Sequence, residues 1–212
     1  MAANVLNKEG QPAFGPAYKI IEAQGVKIGI VGFLTQYIPH WEKPSIIKDL
    51  TFQSILTTAK DILPDLRQSV DLLIVAYHGG FERDLQTGLP TESLTGENEA
   101  YQLVEEYKDY IDALVTGHQH REIADHLFGV PVIQPGYRGA FVGEIELELD
   151  NHKKVVASNA RLHKTENCKV SSEVNQLISD VSEEAEDWLD QPMGEVHGEM
   201  IIRDPMTARL IE

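Results

Sequence analysis

Apolar and polar positions along this chain fall into short blocks of strand length, broken by a few stretches with helical period. Residues 17–24, "AYKIIEAQ", and 26–33, "VKIGIVGF", are apolar-rich runs split by Gly25, and predict two strands joined by a tight turn. Residues 34–50 carry Pro39, Pro44 and several aromatics and predict a loop. In "LTFQSILTTAKDILPDLRQS", Phe52, Ile55, Leu56, Ala59, Ile62, Leu63 and Leu66 recur at spacings of three and four, which predicts a helix with one apolar stripe. Pro64 is expected to end or kink it. The near-continuous run "VDLLIVAY" at 70–77 suits a strand buried on both faces.

A long polar, glycine-bearing segment follows from His78 to Asn98, and loops of that length in compact domains tend to be functional. "NEAYQLVEEY" (98–107) predicts a helix, and "IDALVT" (111–116) a short buried strand. Strands are predicted next over 129–136, 141–150 and 154–164, the last two flanking a turn at Asn151–His152. Ile145, Leu147 and Leu149 alternate with glutamates, giving that hairpin one wet face. Residues 171–189 predict an amphipathic helix capped by Ser171 or Ser172, its apolar face built from Val174, Leu177, Ile178, Val181, Ala185, Trp188 and Leu189. From Asp190 the chain loses periodicity and reads as a linker. Strands alternating with helices, then antiparallel strands, define a layered α/β architecture. Its ligand sites gather at the carboxyl ends of the strands.

Two histidines in "ALVTGHQHRE", His118 and His120, follow a strand directly, as does His78 after "DLLIVAY". In an extended segment, residues two apart face the same way. Their Cα atoms would lie about 6.5–7 Å apart, wide for one metal and comfortable for two ions about 3.5–4 Å apart. Neutral imidazole is a good ligand for zinc, iron, manganese or nickel. Such a site needs carboxylates too, and Glu82, Asp84, Asp112 and Glu122 are nearby in sequence. Asp112 begins the strand whose far end holds the histidines, so it sits at the wrong end. Glu82 is better placed, as a partner fixing a histidine tautomer. His40, His126, His152, His163 and His197 lie in settings that point to surface or packing roles.

Composition narrows the function classes. A formal net charge of -16 argues against binding a nucleic-acid polymer, which needs a basic surface. A phosphorylated small substrate remains compatible if a metal receives it. No apolar run approaches the ~20 residues of a membrane span. The start, "MAANVLNKEG", has no basic segment followed by an apolar one, so no signal peptide is visible and both an exported and a cytoplasmic location stay open. The one cysteine, Cys168, excludes an internal disulfide, and no nucleophile-elbow motif is present.

"VDLLIVAYHGGFE", "IDALVTGHQHRE" and "GVPVIQPGYRGAFVGEIELELD" resemble the second half of the calcineurin-like metallophosphoesterase domain of bacterial 5′-nucleotidases and 2′,3′-cyclic-nucleotide 2′-phosphodiesterase/3′-nucleotidases. "YKIIEAQGVKIGIVGFLT" and "LDQPMGEVHGEMIIRDPMTARL" are similar to that family's segments in the same order, and "YHGGFERDLQTGLPTESLTGEN" points to the cyclic-phosphodiesterase branch. The resemblance implies a layered β-sandwich with flanking helices, half of an αββα fold. It implies that residues 1–164 are the C-terminal half of the catalytic domain, 165–190 an amphipathic linker helix, and 191–212 a linker toward a C-terminal nucleotide-binding domain. It implies two divalent metal ions in the full-length enzyme, His78 and His118 on the second and His120 on the first, activating water against a nucleotide or cyclic-nucleotide phosphate. The family's "DxH", "GD" and "GNH" motifs, the last with its acid histidine, do not occur in this sequence. The chain by itself is therefore expected to bind metal weakly or not at all, to lack phosphatase activity, and to self-associate through exposed apolar surface. The alternative is a non-catalytic binding or scaffold module that keeps the fold.

Overall fold

The computed structural model describes residues Met1–Glu195. The expected linker over 191–212 therefore falls largely outside the described residues, and His197 entirely so. The chain divides into two compact units, Met1–Asn167 and the segment from Cys168 onward.

In the first unit, β1 (Val5–Leu6) leads to the hairpin β2 (Tyr18–Ala23) and β3 (Val26–Leu34). Its turn places Gln24 and Gly25 at φ 51° and 77°, the doubly left-handed form that matches strand twist. A 3-10 turn (Ile38–His40) and α1 (Pro44–Ile47) occupy the expected loop, followed by β4 (Thr51–Phe52) and α2 (Ile55–Ser69). The helix thus starts later than the periodicity predicts. Phe52 pairs with Val5, and the Ser54 hydroxyl accepts from Thr57 N at 3.4 Å as N-cap. Pro64 does not end α2, which continues to Ser69 and buries Ile55, Ala59, Leu63 and Leu66.

Then come β5 (Leu72–His78), α3 (Ala100–Tyr107), β6 (Ala113–Thr116), β7 (Glu122–Leu127), β8 (Val130–Pro135), β9 (Phe141–Leu149) and β10 (Val155–Lys164). Strand β7 has no counterpart in the sequence pattern: His126 and two acids interrupt its apolar residues, and only Ile123 and Leu127 are buried. Six strands form one sheet in the order β2-β3-β5-β6-β8-β7. The neighbours β3, β5, β6 and β8 run parallel, while β2 and β7 are antiparallel edges.

Helices α2 and α3 cover one face, closing a core of Val31, Phe33, Leu73, Val75, Leu114 and Val132 with Leu63 and Leu103. On the other face the β9–β10 hairpin lies against β8 and β7. Gly143 marks its close approach, since a Cβ there would meet Ile133 Cδ1 at 2.7 Å. Further along that face Val115 is 39% exposed, beside an apolar cavity of about 190 Å³ lined by Ile74, Ile133, Ile145 and Leu147. The result is a mixed α/β fold with flanking helices, as expected. At the amino end of β6, Asp112 binds Arg67 and accepts from Leu73 N at 2.7 Å, far from the histidines.

The second unit contains α4 (Ser172–Leu189). The Ser171 hydroxyl accepts from Val174 N at 3.3 Å, which fixes its start. Among the described residues no helix is long and apolar enough to cross a membrane.

Candidate functional site

Parallel pairing of β5 and β6 brings the ends of both strands side by side. His78 is the last residue of β5, and its carbonyl accepts from Thr35 N at 3.0 Å at the end of β3. Gly117 follows β6 and donates its N–H to Gly79 O at 3.2 Å. With Gly117 carrying no side chain, the His78 ring sits close to that turn, Nδ1 lying 3.7 Å from where a Cβ would be. His78 and His118 consequently meet edge to face, ring centroids 5.3 Å apart.

The turn carrying His118 and His120 is not extended. Both residues have positive φ, 70° and 59°, a conformation that non-glycine residues adopt at a cost of about 1–3 kcal/mol and that clusters at functional sites. The alternation argument therefore does not apply, and the two rings part company. His118 faces His78 and Glu97, whereas His120 stacks on Tyr137 at 5.2 Å and 15°.

Gln119, between them, holds this turn in place. Its Oε1 accepts from Phe81 N at 2.9 Å, and its Nε2 donates to Phe81 O at 3.1 Å and to Glu92 Oε2 at 2.9 Å. The turn is thereby clamped to the long segment after β5. Asn98 adds to that clamp, accepting from Gly80 N at 2.6 Å and donating to Glu92 at 2.8 Å.

Glu82 does not hold a histidine. It is buried, and its carboxylate accepts from Tyr101 N at 3.0 Å and Gln102 N at 2.9 Å, the free amides of the first turn of α3. The carboxylate on His118 is Glu97, whose Oε1 lies 2.9 Å from its Nε2. It comes from the far end of the polar loop. Its own carbonyl is fixed by the Thr35 hydroxyl at 2.6 Å and Tyr77 OH at 3.2 Å. Nothing in the spacing of Glu97 from the histidines marks it; only loop closure reveals it.

Burial, reinforced by repulsion from His118 and His120, holds the His78 imidazole below its ordinary pKa. The shift favours the neutral imidazole, which is the metal-ligating form. Burial, with Glu82 and Glu106 nearby, pushes Glu99 up to about 7, and Gln36 Nε2 donates to its Oε2 at 3.0 Å. A cleft of about 560 Å³ opens beside His118, lined by Glu92, Glu97, Asn98, Gln119 and Arg121. The 3-10 turn places Trp41 against His118, ring centroids 5.2 Å apart.

Two adjacent imidazoles suit a divalent cation in donor type. They do not make a full set: among the described residues no group of three or more His, Cys, Asp or Glu side chains is placed to hold an ion. The structure thus brings His78 and His118 together and leaves His120 and Glu82 with other partners.

A parallel-cored α/β sheet with helices on one face and a hairpin on the other makes a layered α/β domain with histidines at neighbouring strand ends. No protein-family model matches the chain. A Staphylococcus aureus protein assigned as a 5′-nucleotidase, solved in complex with alpha-ketoglutarate, superimposes with TM-score 0.86 at 36% identity, over 99% of this chain and 41% of that one. The 2′,3′-cyclic-nucleotide 2′-phosphodiesterase/3′-nucleotidase of Salmonella typhimurium is 29% identical over 163 residues, 70% of this chain and 22% of that protein. The calcineurin-like phosphoesterase YfkN of Bacillus subtilis shares the fold, with TM-score 0.75 at 24% identity over 90% of this chain and 64% of that one. The chain carries a domain similar to the calcineurin-like 5′-nucleotidases, and it spans less than half the length of the Staphylococcus and Salmonella proteins.

Proposed function

We propose that this chain is the part of a divalent-metal-dependent nucleotide phosphohydrolase that supplies His78, His118 and His120 to the metal centre. The substrates are nucleotides, including 2′,3′-cyclic nucleotides. The observation that carries this reading is the His78–His118 pair, 5.3 Å apart at adjoining strand ends, in a fold matched at 36% identity by the Staphylococcus protein. Glu97 orients His118 by accepting from its ring nitrogen, which leaves the other nitrogen as donor to a ligand. His120 joins only if its ring leaves Tyr137.

Residues 1–164 are the catalytic-domain segment and 165–190 the linker helix in this proposal. The chain alone binds metal weakly and does not turn over substrate, because the described donor set is incomplete. That same incompleteness favours a second reading, a binding module that keeps the fold without catalysis. The partly open apolar face around Val115 supports self-association of the isolated chain.

Phosphate release from a 2′,3′-cyclic nucleotide separates the two readings. It is measured on the complete gene product carrying this segment, with and without chelator. Chelator-sensitive turnover lost in His118→Ala supports the enzyme; no turnover by the complete product supports the binding module.

A further inference from the structure

The loop that carries Glu97 to His118 is stitched to the ends of two strands. The Thr35 hydroxyl and Tyr77 OH both donate to Glu97 O, at 2.6 and 3.2 Å. Gln36 adds the last stitch, its Nε2 donating to Gly96 O at 3.4 Å and to Glu99 Oε2 at 3.0 Å. Gly96, at φ 82°, admits that amide, since an added Cβ would meet Gln36 Nε2 at 2.8 Å. The backbone is thus pinned on both sides of the Glu97 side chain, whose Oε1 holds His118.

Of these stitches, only the one from Gln36 to Glu99 ends on a carboxylate. Glu99 is the N-cap residue of α3, yet its side chain caps nothing. The free amides of that first turn are taken instead by both oxygens of Glu82. Two carboxylates therefore meet at one helix start, and a third, Glu106, lies further along α3. Tyr77, from β5, also faces Glu99. Among the described residues no ion pair includes Glu82, Glu99 or Glu106. Arg83 faces Glu82 but gives Nη1 to Gly88 O at 3.1 Å. An ionised Glu99 sits half-buried beside like charges with no cation to offset it, and a neutral one avoids that cost. Burial and these acids push its carboxyl up to about 7.

We propose that Glu99 is a proton-controlled latch on the His118 site. With its carboxyl neutral, the bond from Gln36 holds residues 96–98 down and keeps Glu97 on His118. With it ionised, repulsion by Glu82 and Glu106 turns the carboxylate out to solvent, opens that bond and loosens Glu97. The latch stands or falls apart from the phosphohydrolase reading, because it needs neither metal nor substrate.

Amide hydrogen exchange of the chain, followed by NMR, reads the latch. The reporters are Gly80 N–H, bonded to Asn98 Oδ1 at 2.6 Å, and Glu97 N–H, bonded to Thr95 Oγ1 at 3.3 Å. After correction for intrinsic exchange, opening at both should rise about tenfold from pH 6 to pH 8, the factor that linkage gives for a carboxyl at about 7 when closed and at its ordinary 4.5 once solvated. The His118 ring signals should carry a step over the same range that Glu99→Gln removes. Glu99→Gln keeps an acceptor for Gln36 without the charge, so both amides should stay protected at either pH. Gln36→Ala removes the partner, so both should exchange fast at either pH. A wild-type rise below about twofold, a wild-type-sized rise in either variant, or His118 signals indifferent to Glu99→Gln overturns the latch.

Discussion

Gln119→Ala is the sharpest probe of how the histidine turn is held. The side chain makes three hydrogen bonds, two to Phe81 backbone and one to Glu92. Each is worth about 1 kcal/mol net, and Phe81 is fully buried, so its N–H would be left without a partner at a further cost of order 1 kcal/mol. The loss is therefore about 4 kcal/mol, a large share of the 5–15 kcal/mol typical of a domain. With a urea slope of about 2 kcal/mol per molar, the unfolding midpoint should fall by about 2 M. Gln119→Glu is a stricter test. It keeps an acceptor for Phe81 N–H but loses the donor, and sets a second carboxylate against Glu92. Its stability should be no better than that of the alanine variant at neutral pH and should recover in acid, when protonation restores a donor. A midpoint change worth less than about 0.5 kcal/mol for Gln119→Ala would refute the clamp.

Further predictions concern the two carboxylates that serve no histidine. Glu82→Gln should cost about 1–2 kcal/mol in urea unfolding, because one amide oxygen must serve where two carboxylate oxygens bound Tyr101 and Gln102. Metal affinity at His78 and His118 should be unchanged in that variant; weaker binding would restore a histidine-supporting role for Glu82. Glu99 is raised from its ordinary 4.5 to about 7, so between those values the folded state holds a proton that the unfolded chain has released. Its contribution is full below about 4.5 and is lost as pH rises to about 7. Glu99→Gln should therefore flatten the pH dependence of the midpoint over that window, and an identical slope in both proteins would contradict the assignment.

The strands of the central sheet were legible because burial on both faces leaves an unbroken apolar run, as in "VDLLIVAY". The limits of α2 were less so. Phe52 fits the helical stripe equally well, and only its pairing with Val5, across nearly the whole first quarter of the chain, makes it a strand residue. Strand β7 escaped notice because an antiparallel edge needs few buried residues. At the site, a histidine at each of two strand ends was enough to propose the pair, since parallel neighbours bring their ends together. The relation of His118 to His120 was not readable, because left-handed backbone at two non-glycine residues has no signature in composition. Glu97 and Trp41 reach His118 from loops separated from it by 21 and 77 residues. Such contacts are set by the closing of the fold, which local periodicity does not encode. Glu82 is the complementary case: it is near His78 in sequence, yet its carboxylate sits at the start of α3.

Calorimetric titration of the chain with Zn²⁺ shows whether His78 and His118 act as a metal-ligating pair, one without further ligands among the described residues. One ion should bind per chain with affinity weaker than micromolar, abolished by either His78→Ala or His118→Ala and little changed by His120→Ala. Binding tighter than micromolar, or binding indifferent to the His78 and His118 substitutions, would contradict it.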